Sequence, residues 1–128
     1  MFKILLIGVG GAGGSILRYL IGDWIQKATG SSFPLGTLTI NVTGCLAIGF
    51  LGALFAGPLP VREEYRLAVL VGILGGYTTF SSYGRETMAL AGDQQWWFAA
   101  ANLLSSNALG LAAVWVGARL SAWLVAPQ

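Results

Sequence analysis

The sequence predicts an all-α membrane protein, a single domain over residues 1–128 with four transmembrane helices per chain, the third broken near its middle. Hydrophobic residues make up 55% of the chain and charged residues 9%, which leaves too few polar side chains to cover a soluble globule of 128 residues. Four apolar stretches, Ile4 to about Ile25, Phe33 to Leu59, Leu67 to Gly84 and Trp96 to Ala118, are long enough to cross a bilayer, because about 20 residues at 1.5 Å rise span about 30 Å. Polar links punctuate them: QKATGSSFP from Gln26, GPLPVREEYR from Gly57 and GDQQ from Gly92. Helices are accordingly placed at 3–26, 33–56, 63–91 and 95–125. Trp24, Tyr65, Trp96, Trp97 and Trp123 fall near the helix ends, where amphipathic rings favour the headgroup level.

The first helix carries Gly8, Gly10 and Gly13 in the G-x-G-x-x-G spacing of a dinucleotide-binding loop. That loop needs an acid about 20 residues further on to hold a ribose, and SSFPLGTLTIN contains none. Its fold also needs helices with charged outer faces, which this composition cannot supply. The glycines read instead as close-packing positions in a membrane helix. Lys3 ahead of an apolar run imitates a signal peptide, but no small-residue cleavage site closes a short apolar core, so the segment is expected to remain as a helix.

The second helix contains GTLTINVTG, which puts Thr37 and Asn41 on one face at i and i+4. An amide is costly to leave facing lipid, so Asn41 is either glue between helices or a pore-lining donor. Cys45 is the one cysteine and there is no histidine, so a disulfide within the chain and His/Cys metal or catalytic sites drop out; Cys45 reads as a small packing residue. In the third helix, GILGGYTTFSSYGRE joins Gly75 and Gly76 to a run of hydroxyls and two aromatic rings. Glycines weaken a helix by about 1 kcal/mol each, and hydroxyls compete for backbone carbonyls. A break there would free backbone groups at membrane depth and imply an ion or ligand site; an unbroken helix with packing glycines is the other reading. The fourth helix offers Asn102 and Ser106 at the same i, i+4 spacing, with Gly110 continuing that face. Gly10/Gly14, Cys45/Gly49 and Gly72/Gly76 are spaced as in close-packed membrane helix pairs.

The acids narrow the chemistry. Asp23 sits at a helix end, Glu63 and Glu64 in a loop and Asp93 in a link, leaving Glu86 to line a conduit. The first helix has no mid-membrane carboxylate of the kind that a small proton-coupled cation exporter would use. Hydroxyls, amides and ring edges remain, which suit a small anion. Lys3, Arg62, Arg66 and Arg119 lie toward one side of the membrane, and Lys27, Arg18 and Arg85 toward the other. So even a count gives almost no positive-inside bias. Either the chain is a weakly oriented ordinary protein, or copies insert both ways and pair antiparallel. Four short helices enclose little interior, so a solute site is expected between chains.

On these residues the chain resembles the Fluc (CrcB) family of fluoride channels over nearly its whole length. The resemblance is carried by GGAGGSILRYL, GTLTINVTG, GGYTTFSSY and a Ser/Gly-rich fourth helix ending VWVG, in order. It implies a passive fluoride-selective channel, not an enzyme, exporting cytoplasmic fluoride across a microbial inner or plasma membrane and so conferring fluoride resistance. It implies an antiparallel, dual-topology homodimer with two pores, and a structural Na⁺ at the dimer interface held by the backbone carbonyls of Gly75 and Thr78. It maps Asn41 to the pore amide, Phe80 and Tyr83 to an aromatic pair whose edges face the path, and Arg18 to the aqueous vestibule. Thr37, Thr79, Ser81, Ser82, Glu86 and Ser106 complete the expected pore. Tyr83 stands where the family usually has a second phenylalanine, and Asn102 where some members place a tyrosine. A ring-edge role for Tyr83 is favoured over a hydroxyl role. The alternatives are a small dual-topology multidrug or cation exporter and a non-conducting subunit of a heterodimer.

Overall fold

The computed structural model describes residues 1–57, 59 and 61–125, and among them every regular element is helical. Helix α1 (Phe2–Thr29) ends at Gly30, whose φ of 57° lies in the left-handed region that glycine enters without a Cβ clash. The expected end at residue 26 falls short by one turn, which the Asp23–Lys27 ion pair at i, i+4 (2.7 Å) supports. Gln26 then ties the following link down. Its Nε2 donates to Ser31 O (2.5 Å) and Phe33 O (3.1 Å), and its Oε1 accepts from the Gly36 N–H (3.1 Å).

Helix α2 (Leu35–Ala56) follows as a single apolar rod. The third segment is composite: α3 (Glu63–Leu67), a π-helical stretch (Ala68–Leu74), α4 (Gly75–Tyr77) and α5 (Phe80–Gly92). The start at Glu63 agrees with the helix placed at 63–91, so Glu63 and Glu64 lie not in the loop before it but in the first turn of α3, where acids favour the helix N-terminus. Glu63 pairs with Lys3 (2.7 Å) and Glu64 with Arg62. Between α4 and α5, Thr78 (φ −82°, ψ 157°) and Thr79 (φ −149°, ψ 110°) are extended. Helix α6 (Trp96–Val125) is the last described element. Four helical segments are thus long and apolar enough to cross a membrane.

Small residues set the packing. Helix α1 lies against the third segment so closely that a Cβ on Gly10 would sit 2.6 Å from Ala68 O, one on Gly72 2.8 Å from Ile7 O and one on Gly76 2.5 Å from Gly11 O. A Cβ on Gly14 would overlap Ile73 O. Helices α2 and α6 meet in the same way, with Gly49 on the Val114 backbone and Gly117 on that of Leu46. The expectation for the first helix needs one correction. Gly10 and Gly14, four apart, define its contact face, whereas Gly8 and Gly13 turn away and have no neighbouring atom within 4 Å. The interior is thin: Ile40, Asn102 and Ser121 are the largest side chains fully buried.

Candidate functional site

The site is organised by Asn41 and Thr79. Helix α2 holds Asn41 level with the two extended residues, and its side-chain amide pairs with the Thr79 backbone on both edges. Nδ2 donates to Thr79 O (3.0 Å), and Oδ1 accepts from the Thr79 N–H (2.8 Å). The Thr79 hydroxyl caps α5 by accepting from the Ser82 N–H (3.1 Å), and it also donates to Ser82 Oγ (3.0 Å). These contacts redirect two donors. In a continuous helix the N–H of Thr79 would bond Gly75 O and that of Ser82 would bond Thr78 O. Here the first goes to Asn41 and the second to the Thr79 side chain. Both carbonyls keep lone pairs for another partner, and neutral oxygens of this kind suit a hard cation. Among the described residues no cluster of three or more His, Cys, Asp or Glu could hold a metal instead.

Two cavities meet at Thr79. The larger, about 810 Å³, runs from the helix-end level at Ser32 and Asp93 inward past Arg18, Thr37, Ser81, Ser82 and Glu86. The smaller, about 280 Å³, is lined by Asn41, Thr78, Phe80, Tyr83 and Ser106 among others, and carries no charged side chain. Thr79 borders both. The expected pore residues therefore divide between two compartments, and Gly75 borders neither. In the larger cavity Thr37 donates to Glu86 Oε1 (2.8 Å), while Glu86 Oε2 is buried with no hydrogen-bond partner among the described residues.

In the smaller cavity the Phe80 and Tyr83 rings stand 5.3 Å apart at 58°. Phe80 is 81% exposed on the chain and Tyr83 only 9%. Helix α6 fixes Tyr83 at both ends. Asn107 Nδ2 donates to its hydroxyl (3.1 Å), and Asn102, fully buried, donates to Thr87 Oγ1 (2.8 Å), which in turn donates to Tyr83 O (2.8 Å). Ser106 Oγ donates to Asn102 Oδ1 (3.3 Å), so the face expected from their spacing is formed. Sequence reasoning missed Asn107 and Thr87. The signal for Asn107 was present, since an amide within an apolar membrane segment is costly unless bonded.

The chain matches the family described as CrcB-like protein, Camphor Resistance (CrcB), over residues 5–118. It is 49% identical over 119 residues to a protein of Solibacter usitatus named fluoride-specific ion channel FluC, covering 93% of this chain and 98% of that one. A relative of the same name from Rhizobium meliloti is 42% identical over 120 residues, covering 94% and 96%. A third, from Roseiflexus, is 44% identical over 116 residues, covering 91% and 94%. With a match of this length and identity, set on a four-span helical fold, the chain belongs to the CrcB family.

Proposed function

We propose that the chain is a passive, fluoride-selective channel of a microbial plasma membrane, through which cytoplasmic fluoride leaves down its electrochemical gradient. The observation that carries this reading is the smaller cavity, where an amide, hydroxyls and two aromatic rings surround a volume without a charged side chain. Aromatic edges and O–H or N–H groups present partial positive charge to an anion without trapping it, which allows both entry and exit. A fixed cation would favour binding over release. Fluoride, being small, holds its water strongly, so a path for it must replace that water closely, and the double pairing of Asn41 with Thr79 supplies rigidity. Arg18, Thr37, Thr79, Ser81, Ser82 and Glu86 form the vestibule, and Asn41, Phe80, Tyr83 and Ser106 the narrow part.

The working unit is an antiparallel, dual-topology homodimer with the third membrane helix functionally broken at Thr78–Thr79. Two considerations support this. The Lys and Arg residues divide almost evenly between the two sides. The Gly75 and Thr78 carbonyls have lost their helical donors, and two oxygens are too few for an alkali cation, whereas a two-fold partner makes four. Na⁺ bound there would join the chains electrostatically; Gly75 and Thr78 would hold it through main-chain oxygens.

The test is ion release from liposomes carrying the purified chain alone. Fluoride-loaded vesicles should empty rapidly, and chloride-loaded vesicles should not. Equal release of both anions overturns the selectivity, and release of neither overturns the channel.

A further inference from the structure

We propose that Asn107 is a positioning residue that makes the Tyr83 hydroxyl a hydrogen-bond donor to the permeating anion, an inference that rests on the channel reading above. A phenol has one proton to donate and lone pairs to accept. Asn107 Nδ2 donates to the Tyr83 oxygen (3.1 Å), which fills the accepting side. Among the described residues the hydroxyl's own proton meets no acceptor. Asn107 is itself fixed by a second donation from Nδ2 to Leu103 O (2.7 Å), one turn back on α6. This bond keeps the amide nitrogen, rather than its oxygen, toward the ring. The reverse orientation would place an acceptor beside Tyr83 and draw the phenolic proton out of the cavity.

The direction of that one bond therefore decides what Tyr83 offers. Accepting from Asn107 also polarises the O–H, since hydrogen bonds in a chain strengthen one another. The second Nδ2 hydrogen of Asn41 likewise has no acceptor among the described residues, and it borders the same cavity. Two unspent donors thus line one uncharged volume of about 280 Å³, one from α2 and one from α5. Chloride, larger and less tightly hydrated, gains less from a close donor than fluoride does. Selectivity, and not only rate, depends on Asn107.

The test is a double-mutant cycle of wild type, Asn107→Leu, Tyr83→Phe and the double variant, each reconstituted in liposomes and measured for fluoride and chloride release. Each single change should slow fluoride efflux about tenfold and lower the fluoride-to-chloride ratio, with the double variant no slower than Tyr83→Phe. Infrared difference spectra with and without fluoride should contain a tyrosine C–O band shift in wild type that is absent in Tyr83→Phe and altered in Asn107→Leu. Where Asn107→Leu fails to fold, Asn107→Asp keeps the shape and reverses the bond, and its loss should be larger in wild type than in the Tyr83→Phe background. An Asn107 effect of equal size in both backgrounds overturns the inference, as does a Tyr83→Phe channel with wild-type rate and selectivity. Wild type that releases no fluoride overturns the channel reading itself, a separate result.

Discussion

Replacing Asn41 by Ala should unfasten the extended step in the third segment. The side chain makes two hydrogen bonds to one residue, Thr79, which is only 7% exposed. Alanine leaves a backbone N–H and a C=O without partners, each at about 1–3 kcal/mol, so the loss of stability should be about 2–6 kcal/mol. Asn41→Asp separates the two bonds: a carboxylate can still accept from the Thr79 N–H but cannot donate to its carbonyl. With a charged oxygen set against the Thr79 carbonyl and no counter-ion in the smaller cavity, it should lose at least as much stability as alanine, and it should impair fluoride flux more through its charge. Stability can be measured by denaturant titration of the purified protein in detergent, followed by tryptophan fluorescence, with fluoride efflux measured on the same preparations. With the extended step no longer held against α2, efflux should fall along with stability. An Asn41→Ala protein within about 0.5 kcal/mol of wild type would refute the account, because the Thr79 backbone would then have found other partners.

Phe80→Ile should strongly reduce fluoride efflux with the fold intact, since Ile keeps bulk but has no ring edge; circular dichroism and liposome flux check both. Gly76→Ala should destabilise the chain itself, by about 1–3 kcal/mol, because its Cβ would stand 2.5 Å from Gly11 O. Gly75→Val is the contrasting case: a Cβ there meets nothing nearer than Leu70 O at 3.9 Å, so in-chain stability should hold while mass photometry registers weakened dimers. A C-terminal reporter active on one side of the membrane should give signal from both orientations, and two Lys added to the 26–34 link should bias it; a single orientation would defeat the antiparallel pairing. Exchanging Na⁺ for a bulky organic cation during purification should lower flux and dimer stability together, and indifference to the exchange would count against a bound ion.

The four spans were legible because bilayer thickness sets a length and apolar composition announces it. The packing positions were legible as well: the four-residue spacing of Gly10 and Gly14, and of Gly72 and Gly76, marked glycines that now stand in close backbone contact, while which helices meet was not written in the spacing. The extra turn at the end of α1 was not, because it rests on an ion pair and on Gln26 bonding to residues five to ten positions away. Neither was the π-helical stretch at Ala68–Leu74, whose composition is that of any apolar helix. At the site, residue types in GTLTINVTG and GGYTTFSSY marked the right neighbourhood. The pairing of Asn41 with the Thr79 backbone could not be read, since it depends on how two helices are staggered. Asn107 went unnoticed because Asn102 and Ser106, one helical turn apart, already accounted for a polar face on the fourth helix.

Thr79, standing between the two cavities, has an electrical consequence. On the channel reading proposed above, the cavity of about 810 Å³ would admit the bathing solution and carry its potential inward almost undiminished, so little of the membrane voltage would fall along it. The field would then be concentrated over the short stretch from Thr79 past Phe80 and Tyr83. A unit charge crossing the full potential exchanges about 2.3 kcal/mol per 100 mV, and in such a pore most of that work would be done within a few residues. Changes at Ser81 or Arg18 should therefore scale the current at every voltage alike, whereas changes at Thr79 or Phe80 should bend the current–voltage curve.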